Sequence, residues 1–356
     1  MAAPDPNVTD AVFLRRVVMV ALVGVLAYVS WRLASVLALL FCTVLFAIVV
    51  RALAGILRRL TGLSEPLALA AVLLLSTIAI GSVIVIFGSQ IAAQFDSLAE
   101  RIPAFATGLM VDVERRSWSR YLLGQVQNMD LPGNSAQIAS AVAAFVRTSL
   151  RLLAFAGVVA FAGIYLSVQP DRYRRGLLQL VPAGRRERFS EILKIIGTTL
   201  ERWLMGQSLT MVIIGTLTGL GLWALGVDSP FALGLMTGLF AFVPYIGPIL
   251  AAIPGVMMAG TQGYMLAVYA AMIYAGAHFL ESNLVTPLVQ AEILRLPPVL
   301  TVFATVALGM LLGPLGVLIA APLTVVLMVL VQTLYIEDVL GERRTWPAVS
   351  PETPRR

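Results

Sequence analysis

Two long apolar stretches, each interrupted by proline and glycine, decide the fold of this chain. Residues 231–260 read FALGLMTGLFAFVPYIGPILAAIPGVMMAG, and residues 299–333 read VLTVFATVALGMLLGPLGVLIAAPLTVVLMVLVQT. A straight helix over the second stretch would be about 52 Å long, because each residue adds about 1.5 Å. The hydrocarbon core of a bilayer is only about 30 Å thick. The sequence therefore predicts that neither stretch is a single straight span.

The interruptions occupy corresponding places in the two stretches. The first contains PYIGP at residues 244–248 and a further proline at Pro254, and the second contains GPLG at residues 313–316 and a further proline at Pro322. Broken helices at membrane depth survive only inside protein or beside water, and in transporters they line the substrate or ion site. We therefore predict a transport site at the breaks. Proline kinks or re-entrant hairpins that serve packing alone are the alternative.

The composition places the whole chain in the membrane. Of 356 residues, 59% are hydrophobic and 12% are charged, which is about half the charged share of an ordinary soluble domain. The apolar runs are unbroken, unlike the alternating ten-residue strands of a membrane barrel. These features predict an all-α, polytopic integral membrane protein with about eight transmembrane helices, of which those in the C-terminal half are broken by Pro and Gly. Cys42 is the single cysteine, so no intrachain disulfide can form.

The distribution of basic residues predicts the orientation in the membrane. Residues 169–205 carry eight Lys or Arg against four acids, whereas residues 92–147 carry five Arg against five acids. Cytoplasmic loops are enriched in Lys and Arg, so the first segment, the Arg51–Arg59 loop and both termini are expected inside, and residues 92–147 outside. The net charge of +6 is explained by this orientation, and nucleic acid is not an expected partner. The expected unbroken spans are 17–31, 33–50, 67–87, 148–168, 208–225 and 263–280.

These boundaries divide a single transmembrane domain, 1–356, into segments. We expect N-terminal helices at 17–91 and an extracytoplasmic amphipathic segment at 92–147. The basic cytoplasmic segment 169–205 has apolar residues at three- and four-residue spacing from Phe189 to Leu204, which is typical of an amphipathic interfacial helix. A transport core at 206–336 and a flexible cytoplasmic tail at 337–356 complete the chain.

The apolar run 263–280 ends beside the only histidine, His278, and a carboxylate, Glu281. Tyr274, His278, Glu281 and Ser282 are expected on one face if this helix continues, and Thr286-Pro287 should end it. An ionisable group buried in a bilayer costs about 3 kcal/mol and is a functional candidate by default. The alternative places Glu281 at the headgroups as a solvated helix end. For His278 the alternative is a hydrogen-bonded residue at the interface.

Four motifs, taken in order, resemble one known family. They are GQ at 206–207, FVPYIGPILAAIPGV at 242–256, ESNLVTPLV at 281–289 and PLGVLIAAPLTVVL at 314–327. Together they resemble the autoinducer-2 exporter family, the PerM-like permeases of bacteria, over residues 165–340. The resemblance implies a multi-pass protein of the bacterial inner membrane that forms homo-oligomers. Family members have been linked to export of autoinducer-2 and to exchange of sodium or lithium for protons. The family-like positions are Gln207, Pro244, Tyr245, Gly247, Pro248, Glu281, Asn283 and Pro287.

The functional hypothesis is a secondary transporter, or permease. It would move a small polar solute such as an autoinducer-2-like signal, or exchange a monovalent cation for protons by antiport. Glu281 would bind the proton or cation, and Asn283 and Gln207 would contact the solute. Tyr274, His278 and Ser282 are possible accessory residues.

An intramembrane enzyme and a passive channel or scaffold are the two alternative classes of function. One histidine excludes an H-E-x-x-H zinc site, and neither a G-x-S-x-G elbow nor a Walker A motif is present. We therefore expect no enzyme activity, no cofactor and no metal site. A passive channel, or a membrane scaffold that binds a partner protein, remains open as the alternative.

Overall fold

The computed structural model describes residues 33–78, 155–285 and 297–341, together with helical fragments within 17–29 and at 81–82. The described residues form helices joined by short turns, and no strand occurs among them. The predicted all-α class is therefore confirmed. The segment 92–147 and the tail beyond residue 341 lie outside the described residues. Of the expected span 17–31, the structure describes the helical fragments 17–19, 21–25 and 28–29.

Ten α-helices follow one another along the described chain. The helix Tyr264–Leu280 continues directly into a π-helical turn, Glu281–Val285, and the helix Pro314–Leu330 continues into a second, Val331–Glu337. Three helical segments are long and apolar enough to cross a membrane, namely Ala34–Thr61, Ala183–Ala224 and Pro314–Glu337. The helices are α1 Ala34–Thr61, α2 Glu65–Ile78, α3 Phe155–Val168, α4 Pro170–Gln179, α5 Arg186–Ala224, α6 Pro230–Phe240, α7 Ile246–Gln262, α8 Tyr264–Leu280, α9 Pro298–Leu312 and α10 Pro314–Leu330.

Helix α1 runs further than the sequence predicted. The expected loop from Arg51 to Arg59 is instead helical, and the turn lies at residues 62–64. Gly62 ends the helix in the left-handed conformation, φ 72°, and its N–H donates to the Arg58 carbonyl at 2.8 Å. Arginines in the last turn also favour the helix, because they face the negative end of its dipole. The predicted loop was therefore wrong.

Helix α5 covers two segments that were expected to be separate helices. The expected interfacial helix and the following span form one helix of 39 residues, about 58 Å long. Gly206 and Gln207, where a boundary was expected, are buried within it. One glycine costs a helix only about 1 kcal/mol, and close packing on both sides of this point keeps the helix continuous. Helix α5 contacts α1, α6, α8 and α10, so it is the central element of the fold.

Both long apolar stretches are broken, as predicted. Helix α6 ends at Phe240 and α7 begins at Ile246, while α9 ends at Leu312 and α10 begins after Gly313, φ 64°. Each break folds the chain back tightly on itself. A Cβ atom on Gly247 would collide with the Phe240 carbonyl, and one on Gly316 would collide with the Leu308 carbonyl.

The second interruption expected in each stretch is absent. Pro254 lies inside α7 and Pro322 lies inside α10, and both helices continue past them. A proline removes one helical hydrogen bond, and membrane helices tolerate this where neighbouring helices pack around the freed carbonyl. Pro322 is among the most deeply buried residues described.

Four glycines bring α5 and α6 into backbone contact. Gly215 and Gly219 on α5 face Gly234 and Gly238 on α6, so each helix carries a G-x-x-x-G pair. A Cβ on Gly234 would lie 2.6 Å from the Gly219 Cα, and one on Gly238 would lie 3.3 Å from the Gly215 Cα. Small residues at this spacing are the usual means by which membrane helices approach closely.

Replacing Gly234 with alanine should therefore destabilise the protein by about 1–3 kcal/mol, as overpacking does. Thermal unfolding in detergent, followed by tryptophan fluorescence, measures this change. Gly276→Ala is the matched control, because a Cβ there meets no atom within 4 Å and alanine is the better helix former. Equal melting temperatures for the two variants would contradict the close contact of α5 with α6.

Arg188, at the start of α5, ties that helix to the C-terminal π-helical turn. Its guanidinium lies 2.8 Å from a Glu191 carboxylate oxygen, 2.9 Å from Glu337 and 2.8 Å from Asp338. It also donates to the Thr333 carbonyl at 3.2 Å. The cluster joins residues about 150 positions apart, which sequence spacing could not reveal.

Substitution of Arg188 with alanine should lower stability by about 1–2 kcal/mol, because charged hydrogen bonds are lost at a partly exposed site. The melting temperature in detergent should fall, and the fall should shrink in high salt, where the ion pairs of the wild type are already screened. Arg185→Ala removes an exposed charge from the adjoining turn and should have little effect. Equal losses for the two variants would show that the cluster does not stabilise the fold.

Candidate functional site

Glu281 is the centre of the candidate site. It follows the last residue of α8 and begins the π-helical turn, and only 6% of its surface is exposed. It is the one Asp, Glu, Lys or Arg among the buried residues that the structure describes. The π-helical turn contacts α5. The alternative interpretation placed Glu281 in water at the end of a helix, and a carboxylate that is 6% exposed does not agree with it.

His278 lies beside Glu281 on the same helix. Its Nδ1 is 3.3 Å from the Glu281 Oε2, and its side chain is 39% exposed against 8% for Glu281. An imidazolium at this position would neutralise the carboxylate, and a neutral imidazole could still donate a hydrogen bond to it. The pair can therefore hold or release a proton, with the histidine on the accessible side and the carboxylate on the buried side.

Tyr274 continues the same face one turn before His278. It is buried, and its hydroxyl lies against Gly255 of α7, where a Cβ atom would collide with it. The hydroxyl meets no hydrogen-bond partner of good geometry within the described part of the chain, and the Thr237 side chain of α6 lies close to it. Tyr274 thus packs α8 against α6 and α7.

Gln207 holds the break between α6 and α7. It is 3% exposed, and its Nε2 donates to the carbonyl of Ala241, the residue that caps α6, at 2.7 Å. The last carbonyls of a helix lack partners within the helix. The side chain from α5 supplies one, which explains why a buried glutamine occupies the middle of an apolar helix.

A ring contact and an unusual backbone conformation also define the geometry of this break. The rings of Trp203 on α5 and Phe242 pack edge to face with centroids 6.0 Å apart. Tyr245 has φ 66° and ψ −48°, a conformation that side-chain-bearing residues rarely adopt and that costs about 1–3 kcal/mol. Pro244 and Tyr245 precede α7, while Gly247 and Pro248 are buried in its first turn. These four residues and Gln207 therefore form one group.

The remaining predicted residues do not join either group. Ser282 and Asn283 are exposed, and the Asn283 amide donates to the Phe279 carbonyl of its own helix at 2.9 Å. Consecutive residues of a helix point about 100° apart, so Ser282 cannot share the buried face of Glu281. Pro287 lies outside the described residues.

Sequence reasoning missed several residues that shape the site. Thr237 and Gly255 lie against Tyr274 from other helices, and Trp203 packs on Phe242 at the α6–α7 break. Of these three, Trp203 stood in the predicted apolar face of a helix. Tyr274 and Gly255 lie on different helices, and their spacing along the chain follows no periodic pattern that would predict a contact. Nothing in the sequence alone could have paired them.

Comparison with known proteins assigns the family. The model of the AI-2E family transporter matches residues 17–336, which is most of the chain. The chain belongs to this family. The AI-2E family motifs at the α6–α7 break and around Glu281 thus occur within the matched region, and the resemblance seen in the sequence is confirmed.

Similar bacterial proteins carry transport descriptions. The chain is 27% identical to the "Putative transport protein YrrI" of Bacillus subtilis (strain 168), over 67% of this chain and 69% of that protein. It is 26% identical to the "Putative transport protein YueF" of the same strain, over 66% and 67%. The "AI-2 transport protein TqsA" of Escherichia coli (strain K12) is 30% identical over 32% of this chain and 34% of its own length. This AI-2E family member is accordingly a membrane transporter.

Replacing Gln207 with leucine should destabilise the transporter by about 1–3 kcal/mol, because the buried Ala241 carbonyl then loses this donor. The melting temperature in detergent measures the loss. Gln179→Leu, on the exposed face of α4, is the control and should leave it unchanged. A Gln207→Leu variant as stable as the wild type would mean that the break does not need this side chain.

Proposed function

We propose that this AI-2E family member is a secondary transporter whose coupling group is Glu281 assisted by His278. It moves a small polar solute such as an autoinducer-2-like signal, or exchanges a monovalent cation for protons. The observation that carries the proposal is the buried carboxylate, 6% exposed, paired at 3.3 Å with the only histidine of the chain.

The electrostatics of this pair suit ion coupling. A carboxylate removed from water is unfavourable unless a proton, a cation or a charged partner neutralises it. A proton and a monovalent cation therefore compete for Glu281. His278 is partly exposed, so it can exchange protons with water and pass them to the carboxylate.

The helix breaks supply the remaining parts of the mechanism. Free carbonyls and amides at such breaks bind solutes and ions in transporters, and two halves that move against each other expose the site alternately. The α6–α7 break carries Pro244, Tyr245, Gly247 and Pro248 and is held by Gln207. The strained Tyr245 backbone marks a place where the chain could change conformation at low cost.

Solute contacts, assembly and orientation are further parts of the proposal. Gln207 and Asn283 offer neutral donors and acceptors for a polar solute. The protein works as a homo-oligomer in the bacterial cytoplasmic membrane, with both termini in the cytoplasm. The positive-inside distribution and the family assignment support this placement.

The test uses purified protein in vesicles that contain a pH-sensitive dye. Gradients of sodium, lithium and potassium are imposed in turn, and proton movement is recorded for the wild type and for Glu281→Gln. Cation-dependent proton flux should fall at least tenfold in Glu281→Gln. The control, Glu201→Gln, removes an exposed carboxylate from α5 and should transport normally.

Each outcome bears on a separate part of the proposal. Normal coupled flux in Glu281→Gln would remove Glu281 from the coupling site. An absence of cation-dependent flux in the wild type would exclude the exchange reaction. Uptake of a labelled polyhydroxylated solute would then be measured with and without a proton gradient. Uptake that depends on the gradient would indicate a coupled transporter, and uptake that does not would indicate a passive channel. His278→Gln should keep transport but shift its pH dependence, because Glu281 would lose the imidazole that lies 3.3 Å from it.

A further inference from the structure

A polar cavity and an apolar groove adjoin at the arginine-rich end of helices α1 to α4. The polar cavity measures about 450 Å³ and the groove about 350 Å³. Glu65 and Val168 line both, so the two lie side by side. The charged residues of the cavity are Arg51, Glu65, Asp171, Arg172 and Arg175.

Arg51 lines the polar cavity and fixes the helices around it. Its Nη2 lies 2.9 Å from the Glu65 Oε1, and its Nη1 donates to the Ser167 carbonyl at 2.9 Å. One side chain of α1 thereby holds the start of α2 and the end of α3 in place. The charge of Glu65 is neutralised by this pair, and Arg58 lies 3.9 Å from its other oxygen.

Arg172 and Arg175 supply the unbalanced positive charge. They lie three residues apart on α4 and share one face. Each is held by a hydrogen bond, Arg172 to the Gln169 side chain at 3.3 Å and Arg175 to the Asp171 carbonyl at 3.3 Å. Neither forms an ion pair with a carboxylate among the described residues. With Arg51 they outnumber Glu65 and Asp171 in the cavity lining, so the cavity favours an anion.

The groove favours a hydrocarbon chain. Apart from Glu65 it is lined by apolar side chains, those of Pro66, Leu69, Ala70, Leu73 and Val168. It runs along α2 beside the end of α3, both of which are apolar helices. Helix α4 is basic and has no buried residue. The junction of α3 with α4 is thus a change from apolar to charged surface, as occurs where a chain leaves the hydrocarbon of a membrane.

We propose that this composite site binds an anionic phospholipid. The headgroup phosphate would lie against Arg172 and Arg175, whose guanidinium groups suit phosphate oxygens, and an acyl chain would follow the groove along α2. A phospholipid carries a negative headgroup next to a long apolar chain. The lining is complementary to both parts, with positive side chains in the cavity and apolar side chains in the groove. By tying α4 to α2, the lipid would link the helix before α5 to the N-terminal helices.

The experiment measures lipid binding to the full-length, delipidated protein in detergent by native mass spectrometry and by thermal shift. The probes are phosphatidylglycerol, phosphatidylcholine with the same acyl chains, and inorganic phosphate. We expect phosphatidylglycerol to bind at least tenfold more tightly than phosphatidylcholine. In Arg172→Gln/Arg175→Gln this preference should fall at least tenfold, since both guanidinium groups that would contact the headgroup are removed and basic residues near a membrane surface favour anionic lipids.

The control variant removes two charges elsewhere. Arg185→Gln/Arg202→Gln changes exposed residues outside the cavity and should keep the preference for phosphatidylglycerol. An equal loss in both double variants would show that only the net charge matters and would overturn the site. Equal binding of the two lipids by the wild type would also overturn it.

Two further measurements distinguish binding of a lipid from binding of a free anion. Stabilisation by inorganic phosphate as large as that by phosphatidylglycerol would assign the cavity to a soluble anion and contradict the lipid. Ala70→Trp should fill the groove and weaken phosphatidylglycerol binding several-fold, whereas Leu74→Trp, on an exposed position one turn away that does not line the groove, should not. Unchanged binding in Ala70→Trp would exclude the groove as the site of the acyl chain.

Discussion

A helix broken inside a membrane leaves carbonyl and amide groups that only the protein can satisfy, and this requirement organises the structure. At the α6–α7 break, Gln207 reaches from α5 to the Ala241 carbonyl at 2.7 Å. Trp203, one turn earlier on α5, packs against Phe242. The break is therefore formed as much by α5 as by its own prolines, and these contacts account for the continuity of α5 past Gly206.

The close packing around α5 follows from the same constraint. Membrane helices gain little from the hydrophobic effect against one another, so they depend on close van der Waals contact. Gly215 and Gly219 allow α6 to approach the backbone of α5. At its other end, Arg188 ties α5 to the turn that ends α10. One long helix thus contacts both broken stretches.

The candidate site could be predicted in its chemistry but only partly in its arrangement. The burial of Glu281 and its pairing with His278 agree with a spacing of three along one helix, because such neighbours share a face. Gln207 was singled out by its motif, yet its partner Ala241 is 34 positions away. Ser282 was expected beside Glu281 and is exposed, since adjacent residues of a helix point in different directions. Local geometry was therefore predictable, and contacts between helices were not.

The sequence by itself determined that this is an all-α membrane protein with two apolar stretches broken around PYIGP, residues 244–248, and GPLG, residues 313–316. Hydrocarbon thickness sets the length of a span, and proline and glycine set where it can break. Only the tertiary structure decided that Arg51 to Arg59 belong to α1, that α5 is one helix, and that Pro254 and Pro322 leave their helices intact. These features depend on which side chains from distant helices bond to a given carbonyl or fill a given gap. The periodicity of a single segment does not predict such contacts between helices.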